Sequence, residues 1–463
     1  MTIGDGHDPG AARRDAGSVG AHDDGPAPAW FARLVALAVV AHVVGNPPTG
    51  SAAQRIAAAA LGAAGLTVAW LPASRAVWAV VASMVLATAW LEAPMLGNHW
   101  LLAAVFAAAI LVAVVRGRPW SWLATNLRLL FVTFYAFAAF AKLNTAFLDP
   151  AASCAVFYAN QWLASWGLPT VSDGGAVAML TILATVVVEL SVPVLLVVPR
   201  TRALGVALAA AFHYVISLDV EQHFYDFTAV ILVGLATFAH DDVTGPIGSW
   251  FHRRRATAVV LTVVCAILLA LVVLPLGTTM LVVARAGILM LWIPLGGAIV
   301  WLTVRGSGRP AEVAMQPVGI ATGLLVALVA VNGLLPYLGV KTASGWNMYA
   351  NLVTVEGRAN HLIVGPQAEI VTPAYVEVTA TTDEQLRAYV GSAWAVPERN
   401  LRHHLATRPD ATVTFVRADG TTVSGSGGDL GQPMAEVMRR LLPLRSVDRS
   451  TPARCQALWL PAL

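Results

Sequence analysis

Apolar blocks closed by proline, glycine or charge recur along most of the chain, at 30–46, 52–71, 75–94, 99–115, 123–143, 174–199, 203–218, 224–239, 257–275, 278–303 and 317–337. Their lengths cluster about the ~20 residues that carry an α-helix across a bilayer. The pattern predicts about eleven helices, with some of the shorter ones re-entrant or half-buried. After Tyr337 the pattern changes. Alternating apolar positions over 368–380 predict strands, and 381–390 and 397–406 carry helix start signals. The run 412–426, with Asp419-Gly420 at its centre, predicts a hairpin, and 432–442 a last amphipathic helix. The expected architecture is an all-α polytopic membrane bundle over 30–339 with a small C-terminal extracytoplasmic α/β domain over 340–463. Residues 1–29 are rich in Gly, Ala, Asp and His and are expected to form a disordered cytoplasmic tail.

Composition supports a membrane protein. Hydrophobic residues make up 57% of the 463, and charged residues 12%, against about 25% in a soluble domain. A net charge of +3 gives no reason to expect a nucleic-acid partner. The three cysteines, Cys154, Cys265 and Cys455, form no CxxC pair, so no structural zinc or iron–sulfur site, and no other metal, is expected.

Arginine placement gives the helices a direction, because cytoplasmic loops collect positive charge. Arg13 and Arg14 precede the first block, Arg75 follows the second, Arg116 and Arg118 the fourth, and Arg200 and Arg202 the sixth. Arg253, Arg254 and Arg255 follow the eighth, and Arg305 and Arg309 the tenth. All fall on one side, while the loops 47–51, 95–98, 144–173, 219–223 and 276–277 hold no Lys or Arg. The N-terminus is therefore expected inside the cell membrane and the tail outside. Cys154 and Cys455 then share an oxidising compartment, where a bridge would tie the long outer loop to the tail; spacing alone does not establish it.

Ionisable side chains within spans are costly, and each is a functional candidate. His99 opens the fourth block, Lys142 closes the fifth, and His213 lies near the outer end of the seventh. His223, Tyr225 and Asp226 open the eighth, so four helices bring titratable groups to one level. Of 29 basic residues only Lys142 and Lys341 are lysines. A desolvated lysine can lose its proton and act as a base, which arginine cannot; the alternative is a lysine reaching to headgroups. Arg128, Tyr135 and Lys142, seven apart, share a helix face. His99 and His213 are each either catalytic groups or structural hydrogen bonders. Glu189, ahead of Pro193, is expected to pair with Arg128 or Arg285.

Taken in order, these clusters resemble the vitamin K-dependent γ-carboxylase-like family, the HTTM (horizontally transferred transmembrane) group. Asn98-His99-Trp100-Leu101 is similar to its Asn-His-aromatic-Leu element, and Tyr135 through Leu143 to the segment that carries its basic lysine. Phe212-His213 with Phe224 resembles its Phe-His helix, and Gly345-Trp346-Asn347-Met348 its Trp-x-Met element. The likeness spans roughly residues 30–365. It implies a lipid-soluble quinol, a reduced vitamin K-type quinone such as menaquinol, as cofactor. Lys142 would be the base, His99 would stabilise the carbanion or the proton transfer with Asn98 positioning it, and His213 would line the quinone or glutamate pocket. Tyr135, Phe212 and Trp346 belong to the same implied binding set. The implied partners are membrane lipids and an exported glutamate-containing protein or peptide. The chain departs from the animal enzymes in having Ala141 where they have a second lysine, and in its much shorter external domain. Two other readings stand beside this one. A membrane scaffold or lipid-binding protein could keep the fold without the reaction. A transporter is opposed by the lack of inverted-repeat symmetry in the arginine pattern.

Overall fold

The computed structural model describes residues 26–48, 50–239, 249–251, 253–307, 319–366 and 371–455. The expected N-terminal tail lies almost wholly outside them, as do Arg13, Arg14, Arg309 and the first residues of the expected strand run at 368–380. All eleven apolar blocks are helical. They are α1 (Ala29–Gly45), α2 (Ala52–Trp70), α3 (Arg75–Glu92), α4 (Asn98–Val115) and α5 (Trp120–Phe140). After an added helix, α6 (Cys154–Ser165), come α7 (Ala176–Val197), α8 (Arg202–Ile216), α9 (Tyr225–Ala236), α10 (Arg255–Val273), α11 (Thr278–Ser307) and α12 (Ile320–Leu334). Among the described residues eight helices are long and apolar enough to cross a membrane, so the chain is a multi-pass membrane protein.

The exceptions among the eleven blocks are α1, α8 and α9, of 17, 15 and 12 residues. At 1.5 Å per residue α9 reaches only about 18 Å, yet every one of its residues is buried. It lies inside the bundle against α1, α4 and α5, where neighbours rather than lipid cover it. Gly234 lets it close on α5, because a Cβ there would stand 2.4 Å from the Phe131 ring. The helix α6 was not foreseen: 144–173 was expected as an outer loop. Ser153 caps it by accepting from the Ala155 N–H, and Trp162 and Trp166 donate indole N–H groups to carbonyls at the end of α8.

The segment after Leu338 packs on one end of the bundle, the end formed by the arginine-free loops. Ser344 Oγ donates to the Leu96 carbonyl at 2.7 Å, Thr145 N–H to the Asn360 carbonyl at 2.9 Å, and Arg440 to the Ala93 carbonyl at 3.0 Å. Cys154 and Cys455 are joined by a disulfide, which settles what spacing left open. Residues 339–366 form an irregular strap rather than strand or helix. Within it Ser344, Trp346, Tyr349 and Asn351 all have φ between 52° and 57°, a left-handed backbone that side chains other than glycine resist. Tertiary hydrogen bonds hold it: Asn98 Oδ1 accepts from Trp346 N–H at 2.9 Å, and Asn351 bonds Ala152 and Cys154.

Beyond the strap lies a five-stranded antiparallel sheet in the order β4-β3-β1-β2-β5, built of β1 (Tyr375–Thr381), β2 (Trp394–Pro397), β3 (Thr412–Arg417), β4 (Thr422–Ser426) and β5 (Val447–Asp448). The hairpin turn falls at Asp419-Gly420 as expected, with Gly420 at φ 83°. Helix α13 (Glu398–Ala406) buries Leu401 and Leu405 with the sheet's Val376, Val378, Val396 and Phe415. The expected helix at 381–390 is reduced to a single 3-10 turn, Arg387–Tyr389, and that at 432–442 to a six-residue helix, Glu436–Leu441.

Candidate functional site

Two cavities lie beneath the strap, on either side of a partition of aromatic rings. Tyr158 of α6, Tyr349 of the strap and Phe224 pack edge-to-face, with ring centroids 4.5–5.7 Å apart. Phe227 of α9 stands beside them, 5.0 Å from the His213 ring and 5.7 Å from the His99 ring. All four aromatic residues line both cavities.

The larger cavity, about 770 Å³, lies among α5, α6, α7, α8 and α9. Its wall is mostly apolar, with Thr181, Thr185 and Asp219 on it and one buried group of polar side chains besides. Lys142 Nζ meets Glu189 Oε2 at 2.6 Å, and both residues are buried. Lys142 also donates to the Ala138 carbonyl at 3.3 Å. Tyr135 Oη and His213 Nε2 are hydrogen-bonded at 3.0 Å one helical turn or two deeper on the same wall. Of the residues singled out in the sequence, Tyr135, Lys142, Phe212 and His213 line this cavity.

The Lys142–Glu189 pair corrects the expected partner of Glu189. Arg128 instead donates Nε–H to the Thr237 carbonyl at 2.7 Å, at the far end of α9, and Arg285 donates to the Gly45 carbonyl at 3.1 Å. The pair also relocates the lysine. Glu189 is the fourteenth of the 22 residues of α7, so about 20 Å of helix separate it from the arginine-free end. Helix α5 stops at Phe140, and the turn after it brings the buried Lys142 ammonium to Glu189. Lys142 therefore cannot be a surface lysine reaching to headgroups.

The smaller cavity, about 280 Å³, is polar and lies under the strap near the starts of α4 and α9. Asn98, His99, Asn46 and Asp226 line it. His99 Nε2 is 2.9 Å from Asp226 Oδ2, and His42 Nδ1 is 3.8 Å from the same oxygen. His42 Nε2 meets Glu92 Oε1 at 3.0 Å, and its ring lies flat on Trp100, centroids 3.5 Å apart. Asp226 Oδ1 accepts from the Phe227 N–H. His99 and Lys142 thus sit in separate chambers, and the four helix ends do not converge on one cluster.

Asn98 and Trp346, both expected at a bound cofactor, are bonded to each other. The Asn98 side chain caps the strap backbone, and the Trp346 indole N–H donates to the Val329 carbonyl at 2.7 Å, its ring lying edge-on to Phe134. Trp346 lines neither cavity. The sequence reading missed His42, Glu92 and Asn46. His42 lies in the last turn of α1 at the arginine-free end, and the sidedness that singled out His99 applies equally to it.

Outside the spans, burial pulls the His223 imidazole down to about 4, with nearby Arg285 acting in the same direction. Burial likewise raises the Asp219 carboxyl. Comparison with protein-family models, curated proteins and solved structures finds no match.

Proposed function

We propose that this membrane protein is an enzyme of the vitamin K-dependent γ-carboxylase-like kind, acting on a lipid-soluble quinol in the larger cavity with Lys142 as base. The observation that carries the reading is a buried lysine–carboxylate pair set into a mostly apolar cavity of about 770 Å³, within the ~300–1,000 Å³ typical of small-molecule sites. An apolar quinol head with two hydroxyl groups fits that wall chemistry. Lys142, Tyr135 and His213 are placed to meet its oxygens, Thr181, Thr185 and Asp219 are further polar groups on the wall, and Phe212 packs among the apolar lining.

In the ion pair Lys142 carries its proton. Passing that proton to Glu189 leaves two neutral groups in an apolar site, and the free amine can then accept a hydroxyl proton. Glu189 thus works through Lys142, as the group that holds the ammonium proton while the amine takes one from the quinol. The quinol, once bound, supplies the oxygen-dependent chemistry that generates a strong base. The polar chamber beyond the aromatic partition suits the other substrate, a glutamate side chain, with His99 facing it.

The proposed orientation places the N-terminus in the cytoplasm and the strap and sheet domain outside. The disulfide between Cys154 and Cys455 agrees with that placement, and so does the gathering of the arginine-free loops at the domain's end. A reporter fused after Leu463 that proved cytoplasmic would overturn it.

The test is purified protein in lipid nanodiscs given reduced vitamin K, labelled carbon dioxide and a glutamate peptide. Quinone epoxide with labelled peptide identifies a carboxylase, and epoxide without label a quinol oxidase. Neither product, with Lys142→Ala matching wild type in quinone binding, would overturn the enzymatic reading and leave a lipid-binding scaffold.

A further inference from the structure

We propose that His42, His99 and Asp226 form a binding site for a first-row divalent cation, zinc or ferrous iron. The proposal rests on ligand geometry alone and is independent of what Lys142 does. One donor atom from each of the three residues lies within 4.8 Å of the other two, and all three residues are buried. Zinc held by nitrogen and oxygen at about 2.0–2.1 Å in a tetrahedron spaces its ligand atoms about 3.3 Å apart. The distances to Asp226 Oδ2, 2.9 Å from His99 Nε2 and 3.8 Å from His42 Nδ1, bracket that spacing. Two imidazoles and one carboxylate form a donor set shared by zinc sites and non-haem iron sites with open positions.

The surroundings are those of a ligand set. Glu92 accepts from His42 Nε2 at 3.0 Å, which places a proton on that nitrogen and turns Nδ1 toward Asp226. A carboxylate behind a ligating histidine is the usual outer-shell partner at metal sites. Trp100 fixes the His42 ring plane, and the Phe227 N–H holds Asp226 Oδ1, so that Oδ2 is the oxygen turned to the two imidazoles and Asn46. Asn46 supplies the next nearest group: its amide contacts Asp226 Oδ2 and stands 3.4 Å from His42 Nδ1. Exchanging the amide's nitrogen and oxygen, an assignment made from the hydrogen-bond network, turns a carbonyl oxygen to the same point. The remaining coordination positions face the polar cavity, which Asn46, His99 and Asp226 all line.

Charge favours the same conclusion. Among the described residues the ion-pair partners of Glu92 and Asp226 are histidines. A divalent cation balances two carboxylates while both imidazoles stay neutral, which is the form that ligates metal.

The test uses the full chain, stripped with chelator and held in nanodiscs, titrated with cobalt(II) as a visible-absorbing probe. Wild type is expected to take up one equivalent with ligand-field bands in the visible, displaced by zinc. His42→Ala and Asp226→Asn are expected to lose the bands, Glu92→Gln to bind roughly 10–100-fold more weakly, and Lys142→Met to bind like wild type. Should the ligand variants fail to fold, Glu92→Gln, which stands outside the coordination shell, carries the same readout. Folded wild type without saturable cobalt bands overturns the proposal, as does affinity unchanged in all three of His42→Ala, Asp226→Asn and Glu92→Gln. No turnover is read, so failure of the quinol reading leaves the result untouched.

Discussion

The two chambers beneath the strap share an aromatic wall and solve the problem of a buried carboxylate differently. In the apolar chamber Glu189 is met by a single ammonium, Lys142, at 2.6 Å. In the polar chamber Asp226 is met by two imidazoles and an amide, with Glu92 a further carboxylate behind one of them. The first arrangement is a closed pair with one proton to pass between its members. The second converges several donors on one point and leaves room beside it. The proposed function puts proton transfer on one side of the partition, and the proposed cation site puts ligand binding on the other.

The largest effect should come from breaking the closed pair on one side only. Glu189→Leu leaves the Lys142 ammonium buried without its partner, and a loss of about 3–5 kcal/mol is expected for such a break. The double variant Lys142→Met/Glu189→Leu removes both charges and should recover most of that loss in a thermal unfolding assay. Recovery of nothing would mean that the pair is not what stabilises this chamber.

Next is the strap that roofs both chambers. Asn98→Ala leaves the Trp346 N–H without its acceptor, at a cost of roughly 1–3 kcal/mol. Hydrogen exchange should then accelerate over 342–352 while the sheet domain stays protected. Unchanged exchange would mean that the disulfide and Asn351 alone hold the strap.

A smaller and more selective change is Ala184→Trp, which narrows the apolar chamber through α7. Quinone binding, read by competition with a fluorescent quinone, should weaken at least tenfold, while cobalt uptake in the polar chamber stays unchanged. Coupled loss of both would mean the partition does not separate them.

The smallest effect concerns the second lysine. Lys341 lies outside the spans, donates to Asn332 Oδ1 at 2.7 Å, and burial pushes its ammonium down to about 8 from 10.5. Between those values the unfolded chain binds more protons than the folded one, so stability should rise as pH goes from 8 to 10.5. Lys341→Met should flatten that slope in unfolding midpoints measured across the range.

Much of the fold was legible because lipid imposes a length and a composition on each span. All eleven apolar blocks became helices, with ends within about four residues of those read from the sequence. The helix α6 escaped because a 12-residue helix interrupted by Asn160 and Gln161 has neither the length nor the uniformity of a span. Strands β2 and β5, of four and two residues, are too short for a period to show. The candidate site was half legible. Sidedness picked out His99, Lys142 and His213, yet it treated helix ends as a single level. Helix α5 stops short, and the turn after it drops Lys142 beside the middle of α7; a linear hydropathy pattern has no means of registering that. Glu189 looked like a partner for arginine because charge alone, without depth, leaves every cation equivalent. His42 was passed over because a lone histidine in an alanine- and valine-rich helix carries no signal until Trp100, Glu92 and Asp226 are brought to it.

The most direct test of the central claim is quinol-dependent oxygen uptake by nanodisc-embedded wild type against Lys142→Arg. Arginine keeps the charge beside Glu189 and stays protonated in proteins, so the variant should fold and bind quinone. Its turnover should nonetheless fall by about 10²–10⁴, the usual worth of a positioned acid–base group. Uptake by Lys142→Arg equal to wild type would contradict the account, as would wild type that binds quinol without consuming oxygen.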